Sequence, residues 1–229
     1  MISLLYGLKG ADVAAGPTAV IDTFRAFTTA AFLLDAGVAS LLLASEVDEA
    51  RQIAAAVGDA ILCGEDRGLT PPGFDLGNSP GEVLRHVDLA GRVVVQRTSA
   101  GTRCLRAAVR AGASPVFGAS LVVASATARV LAPGPATIVA SGRYGTTRVT
   151  EDDMTAEFIA ARVRGDTPDA DIGRILRSDS AQRLRTAAWA DSHDLELCLD
   201  VDRFDFAMRA EADADVVRLQ RVPLMPRKP

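Results

Sequence analysis

The chain has 229 residues, of which 48% are hydrophobic and 24% charged, and its formal net charge is -4. This length and hydrophobic share can bury a sizeable core, whereas the acidic balance argues against a nucleic-acid partner, which usually meets a basic surface. Three cysteines and two histidines, widely spaced, favour neither a disulfide framework nor a zinc centre, so we expect a protein of the reducing cytoplasm.

Neither a signal peptide nor a membrane span is predicted. The first ten residues lack the basic flank and the long apolar core of a signal peptide. The longest uncharged stretch, residues 111–128, is interrupted by Gly112, Pro115 and Gly118, which favours a buried strand and a small-residue helix over a bilayer-crossing helix. We therefore expect no association with membranes.

Short apolar runs alternate with helical periods over about the first 140 residues. Strands are predicted at residues 18–22, 38–44, 59–63, 91–96, 114–118 and 136–141. Helices are predicted at residues 26–36, 45–57 and 101–111, and in a segment that ends near residue 129. Ser45 is the predicted N-cap of the second helix, because acidic residues fill the turn that follows it. This alternation is typical of βαβ units around a mostly parallel, buried sheet.

The last part of the chain has a different pattern. Helices dominate from about residue 151 to about residue 190, and a strand-like run followed by prolines ends the sequence. No linker separates the two parts, so we predict a single α/β domain over residues 1–229, with a helix-rich portion from about residue 151.

Polar residues gather where predicted strands end, which is where open α/β sheets bind ligands. Asp22 follows the first predicted strand, and Arg25, Thr28 and Thr29 lie near the start of the next helix. Free N–H groups at a helix start suit an anion, so Asp22 could hold a cation while Arg25 and the threonines hold a phosphate. The alternative is that Asp22 or a threonine only caps the helix.

Residues 64–80 form a long connection rich in glycine and proline. Connections of this length inside compact domains are usually functional or disordered, and the prolines argue against disorder. Glu65, Asp66 and Asp75 carry hard oxygen ligands of the kind that Mg²⁺ takes. The alternative is a structural loop capped by Asn78 or Ser79.

Two more turns complete the candidate set. Residues 97–103 place small hydroxyl residues and a glycine between a strand and a helix, a composition typical of anion-binding nests and equally of a hydroxyl-capped turn. Arg143 lies between two glycines and precedes Glu151 and Asp152. Acids in the first turn of a helix alone indicate no more than a complement to the helix dipole.

Taken together, these segments resemble the 2-phosphosulfolactate phosphatase family. The most specific match is residues 73–80, GFDLGNSP, which is similar to the family signature over its whole length. Residues 64–65 resemble the start of the family's GERGG segment, residues 22–29 resemble D-V-L-R-A-T-T-T, and residues 98–102 resemble T-T-N-G-T. The acidic pair at 151–152 matches as well, and order and spacing agree from about residue 18 to about residue 157.

This resemblance implies a three-layer α/β/α fold with a mostly parallel or mixed sheet and a helical C-terminal part, a Mg²⁺ cofactor and a homodimer. It implies hydrolysis of 2-phosphosulfolactate, a small anionic phosphoester, to sulfolactate as a step towards coenzyme M. The catalytic residues would be Asp22, Arg25, Glu65 and Asp75, and the metal ligands Asp22, Glu65, Asp75, Glu151 and Asp152. Phosphate and substrate would be bound by Thr28, Thr29, Arg67, Asn78, Ser79, Thr98, Gly101, Thr102 and Arg143.

Several positions depart from the family pattern. Phe27, Asp66 and Ala100 stand where the family has threonine, arginine and asparagine, and Ala140 or Ser141 stands in place of a cysteine. Each change removes or moves a polar group, which is worth about 1–3 kcal/mol when that group is needed. Two alternatives therefore accompany the expected activity: a phosphatase for another phosphoester, and a non-catalytic anion-binding protein on the same scaffold.

Overall fold

A computed structural model describes residues 1–86, 88–132, 134–213 and 216–224. Within these ranges the strands are β1 (Ile2–Tyr6), β2 (Thr18–Ile21), β3 (Ser40–Ala44), β4 (Ala60–Gly64), β5 (Val93–Arg97), β6 (Val116–Ala119), β7 (Ala136–Ala140), β8 (Phe206–Asp213) and β9 (Val216–Pro223). The helices are α1 (Gly7–Ala11), α2 (Ala26–Asp35), α3 (Val47–Val57), α4 (Pro80–Arg85), α5 (Gly101–Arg110), α6 (Ala124–Leu131), α7 (Thr150–Val163), α8 (Ile172–Leu176), α9 (Asp179–Thr186) and α10 (Asp194–Cys198). A 3-10 turn at Leu121–Val123 precedes α6.

The strands form one mixed sheet in the order β1-β7-β2-β6-β8-β9-β3-β5-β4. Neighbours are parallel within β1-β7-β2-β6 and within β3-β5-β4. The β8–β9 hairpin lies between the two groups and pairs antiparallel on both sides. The two parallel groups therefore run in opposite directions. The α/β class, the mixed sheet and the helical C-terminal part are confirmed.

Burial distinguishes the interior strands of the sheet. Every residue of β2 and of β7 is buried, as expected for parallel strands covered on both faces. Helices α6 and α7 pack against the β2 group of strands, and α3 packs against β3, β4 and β5. Helix α5 contacts strands of both groups, so it links the two halves of the sheet.

Two features differ from the sequence-based expectation, and a third lies beyond what the structure describes. Strand β1 and the first strand of the hairpin were not predicted, because half-buried runs at the ends of a chain carry a weak apolar pattern. The predicted N-cap Ser45 is wrong: Glu46 is the N-cap of α3, and it forms a reciprocal capping box with Glu49. The end of the chain from residue 225, where further prolines were noted, lies outside the described residues.

None of the described helices combines the length and the apolar character needed to traverse a bilayer.

Candidate active site

The turns that follow β2, β4, β5 and β7 meet at one cavity of about 130 Å³. This volume is below the roughly 300–1,000 Å³ of sites for drug-sized ligands, so it suits a small metabolite. Eight of the residues that sequence analysis singled out line it: Asp22, Arg25, Glu65, Arg67, Asn78, Arg143, Glu151 and Asp152.

Asp22 joins the turn after β2 to the start of α5. Its Oδ1 accepts a hydrogen bond from the Ala26 N–H at 3.0 Å, and its Oδ2 accepts one from the Gly101 N–H at 2.9 Å. Burial, together with the nearby charges of Glu65 and Glu151, raises the pKa of Asp22 to about 6 against the opposing effect of these hydrogen bonds. Asp22 therefore both caps helix α2 and contributes a carboxylate to the cavity.

Glu151 and Asp152 begin helix α7 and are both buried. Asp152 accepts hydrogen bonds from the Thr23 N–H at 2.8 Å and the Gly142 N–H at 2.9 Å. Burial, then the charges of Asp22 and Glu151, raise the pKa of Asp152 well above its ordinary value. Burial also raises the pKa of Glu151, whose Oε2 is buried without a hydrogen-bond partner among the described residues.

Glu65 ties the loop after β4 to the turn after β5. Its Oε1 accepts the Ser99 N–H at 2.5 Å, and its Oε2 accepts the Gly68 N–H at 2.6 Å and the Ser99 hydroxyl at 3.0 Å. The buried Arg97 donates to the Glu65 carbonyl at 2.6 Å and pairs with Asp66 at 2.9 Å. These contacts fix the backbone of the loop on which Glu65 and Arg67 stand.

Arg25 is held from behind by a carboxylate that sequence analysis did not single out. Its Nη1 lies 2.5 Å from Oδ2 of Asp194, and the two side chains are 6% and 0% exposed. The guanidinium lies 4.9 Å from the centre of the Trp189 ring. The other oxygen of Asp194 accepts hydrogen bonds from the Ser79 hydroxyl at 2.7 Å and the Gly81 N–H at 3.0 Å.

Asp75, which was expected to take part in metal binding and catalysis, lies outside the cavity. Its side chain is exposed, and its Oδ2 accepts a hydrogen bond from the Leu62 N–H at 2.8 Å. The Asp75 and Leu76 N–H groups both donate to the Leu62 carbonyl, at 2.9 and 3.1 Å. The signature segment thus runs along the edge of β4, and Asp75 fastens it there.

None of the hydroxyl residues predicted to bind phosphate lines the cavity. The Thr28 hydroxyl donates to the Thr23 carbonyl at 3.0 Å, and Thr29 is fully buried in α2. Thr98 and Thr102 exchange reciprocal hydrogen bonds between backbone N–H and hydroxyl, both at 3.1 Å. Thr28, Thr98 and Thr102 thus hold the turns beside the cavity, and the expected contacts of phosphate with the threonines, with Ser79 and with Gly101 stay predictions.

Several residues of the wall were missed by sequence analysis. They are Phe24, Gly68, Ser99, Gly142, Tyr144, Val149, Ser180, Arg183, Leu184 and Trp189. Four of them, from residue 180 onward, belong to the C-terminal helical part. Their own segments carry no signal beyond an amphipathic helix, since their contribution depends on packing against turns far away in the sequence.

Buried carboxylates and arginines line one cavity at the strand ends of this α/β protein, so its candidate site is small and highly charged. A model of the family described as 2-phosphosulpholactate phosphatase matches residues 8–213. The chain belongs to the 2-phosphosulfolactate phosphatase family, and the resemblance seen in the sequence is confirmed.

Individual relatives agree with this family assignment. A Bacillus subtilis protein is 31% identical over 228 residues, which cover 95% of each chain. A Thermus thermophilus protein is 42% identical over 149 residues, covering 64% of this chain and 60% of its own. A Deinococcus radiodurans protein is 43% identical over 145 residues, covering 62% of this chain and 59% of its own. Each is described as a probable 2-phosphosulfolactate phosphatase. The matches to the latter two thus span less than two thirds of those proteins.

Proposed function

We propose that this protein is a Mg²⁺-dependent phosphoric monoester hydrolase that converts 2-phosphosulfolactate to sulfolactate. One observation carries the proposal: four carboxylates from three separate segments, Asp22, Glu65, and the adjacent Glu151 and Asp152, converge on one cavity that Arg25 also lines. Membership of the family and the names of the relatives support the same substrate.

The residues present fit a magnesium ion. The buried Oε2 of Glu151 has no partner among the described residues, and its neighbours are hard oxygen donors whose charges repel one another. Across the part of the chain that is described, no three Asp, Glu, His or Cys side chains are grouped to hold a metal. Mg²⁺ usually takes only one or two carboxylates and completes its shell with water and substrate phosphate. We assign Glu151 and Asp152 as its ligands.

The bound ion would offset negative charge on the phosphate during hydrolysis. Arg25 supplies a fixed positive charge, because Asp194 and Trp189 hold its guanidinium in place. Glu65 accepts three hydrogen bonds already, so it orients the loop that carries Arg67. These side chains bind and orient the phosphoester.

Water is the proposed nucleophile. The three cysteines are buried, and burial raises the pKa of each thiol, for Cys104 to about 12. A thiol in that state forms almost no thiolate near neutral pH. The buried carboxylates of the cavity would accept the proton of the attacking water.

The test measures phosphate release from 2-phosphosulfolactate with Mg²⁺ and with EDTA. We expect turnover only with the metal, and we expect Glu151→Gln to lower kcat/KM by about 100-fold or more, because it replaces a metal ligand by a neutral amide. Asp75→Asn is the matched control: it is an acid of the signature segment, but outside the cavity, and should stay within about twofold of wild type. Turnover in EDTA, or equal losses in both variants, would refute the proposal.

Two broader expectations accompany this function. As the family resemblance implies, we propose a homodimer, which light scattering of the purified protein would detect as twice the chain mass. A cytoplasmic location agrees with cysteines that are free and buried, and fractionation of producing cells would test it.

A further inference from the structure

Helix α9 forms one wall of the active-site cavity, although it lies outside the segments that carry the family resemblance. Ser180, Arg183 and Leu184 of this helix line the cavity. Ser180 and Arg183 are three residues apart and therefore share a helix face. The helix is anchored by Ala181 and Leu184, both buried. These buried residues therefore fix the helix in place, with its polar residues towards the cavity.

Ser180 fixes this wall to the rest of the cavity, and Arg183 does not. The Ser180 hydroxyl accepts a hydrogen bond from Arg143 at 3.4 Å, and it also interacts with Glu151. The Arg183 side chain is exposed and has no ion pair or hydrogen bond among the described residues. Arg67 on the facing loop is exposed too, and its guanidinium likewise has no partner there.

Negative and positive charges therefore lie on different sides of the cavity. Its buried floor carries the carboxylates proposed to hold a metal and, with it, a phosphate, while its open side carries two guanidiniums that have no partner in the described part of the chain. A phosphoester with no other charge would leave both guanidiniums unused. A second anion on the same small molecule would meet them, and a guanidinium can bind a carboxylate or sulfonate through paired hydrogen bonds.

We propose that Arg183, assisted by Arg67, is the specificity-determining residue that binds the non-transferred acid group of the substrate, a carboxylate or a sulfonate. The proposal rests on the proposed function for the identity of the site, but it concerns a separate part of the ligand. It assigns the choice among phosphoesters to helix α9, and hydrolysis itself to the turns after the strands.

Three phosphate monoesters of secondary alcohols test the proposal: 2-phosphosulfolactate, 2-phospholactate and isopropyl phosphate. They carry two, one and no additional acid groups. We expect Arg183→Gln to raise KM about tenfold or more for the first two, the usual effect of losing a charged hydrogen bond. KM for isopropyl phosphate should stay within about twofold of wild type. Arg183→Lys should recover part of the loss.

Arg185→Gln is the matched control. Arg185 lies on the same helix and carries the same charge, but it faces a different depression, beside Leu176 and Leu195. We expect it to leave KM for all three esters unchanged. Arg183→Gln would overturn the proposal if it behaved like wild type, or if it raised KM equally for all three esters.

Calorimetry with sulfolactate in the presence of Mg²⁺ separates this proposal from the proposed function. If the wild-type protein hydrolyses none of the esters, the proposed function fails. Weaker sulfolactate binding by Arg183→Gln, and not by Arg185→Gln, would still support the role of Arg183. The proposed role of Arg183 would be overturned if Arg183→Gln and Arg185→Gln bound sulfolactate equally well, or if the wild-type protein did not bind it.

Discussion

Gly101 lies where α5 approaches the turn after β2 most closely. A Cβ added at this position would lie 2.8 Å from Oδ2 of Asp22 and 2.8 Å from Cβ of Ala26. Neither contact is tolerable, so Gly101→Ala must displace the Asp22 carboxylate or the start of α5. We expect a loss of at least about tenfold in kcat/KM, and of about 1–3 kcal/mol in the free energy of unfolding. Phosphate release and urea unfolding measure the two effects.

Gly134→Ala is a suitable control for that change, since a Cβ at Gly134 meets no atom within 4 Å. It should alter neither activity nor stability by a measurable amount. Full activity in Gly101→Ala would show that this close approach does not hold Asp22.

The positions that depart from the family pattern affect the site unequally. Phe27 is fully buried, and a Cβ at Gly118 would lie 2.7 Å from its ring, so it belongs to the core and not to the cavity. Asp66 pairs with Arg97 behind the loop, and the Ser141 hydroxyl donates to Asp152 at 3.2 Å. Ala100 does line the cavity. Of these departures, Ala100 is therefore the one that changes the surface presented to a ligand.

At the scale of elements, Asp194 joins α10 to two other helices. It pairs with Arg25, the residue before α2, and accepts hydrogen bonds from Ser79 and Gly81 at the start of α4. Arg25→Met would leave the buried charge of Asp194 without its positively charged partner. We expect this to cost about 3–5 kcal/mol of unfolding free energy, as measured by urea unfolding, so a loss of activity in this variant alone would not identify a catalytic role.

The double variant Arg25→Met/Asp194→Asn separates the two roles of Arg25. An asparagine at 194 carries no charge and can still accept the hydrogen bond from Ser79, so most of the lost stability should return. Activity should stay low, because the positive charge beside the phosphate is still missing. Recovery of turnover in the double variant would contradict the assignment of Arg25 to phosphate binding.

Local pattern was sufficient to predict the elements but not their arrangement. The apolar runs of β2 and β7 and the periodicity of α2 and α5 are properties of short segments, and these elements were predicted nearly in full. The partnership of Arg25 and Asp194 spans 169 positions. Asp194 begins a short helix, where an acid normally indicates only a favourable interaction with the helix dipole, so nothing local distinguished it.

The convergence of the strand-end turns is likewise a property of the whole sheet. Strands β2 and β5 belong to groups that run in opposite directions. In a flat sheet, their carboxyl ends would therefore point in opposite directions. The hydrogen bond from Gly101 to Asp22 shows that these ends meet. Sheets twist by about 20–25° per strand, and this rotation accumulates over the strands between them. The sequence pattern does not predict this reversal of strand direction.

The stability of the whole molecule should depend on pH through the carboxyl groups of the same cavity. Burial raises the pKa of Asp22 from 3.8 to about 6, and it also raises the pKa of Glu151 and Asp152. A carboxyl group whose pKa is higher in the folded state binds more protons there than in the unfolded chain. Its contribution to stability is present at low pH and is lost as the pH rises through the folded-state value. Asp191 has the opposite effect, since Arg85 lowers its pKa to about 2, but it acts only below its ordinary value of 3.8.

In EDTA, the free energy of unfolding should therefore fall by about 2–3 kcal/mol between about pH 4.5 and about pH 7.5. Saturating Mg²⁺ should remove most of this decline, because a metal binds the deprotonated carboxylates of the folded state. Urea unfolding at several pH values, with and without the metal, measures both effects. Asp152→Asn should weaken the pH dependence and the stabilisation by Mg²⁺, whereas Asp75→Asn should preserve them. Stability in EDTA that is constant or increases over this range would contradict a cavity of crowded, uncompensated carboxylates.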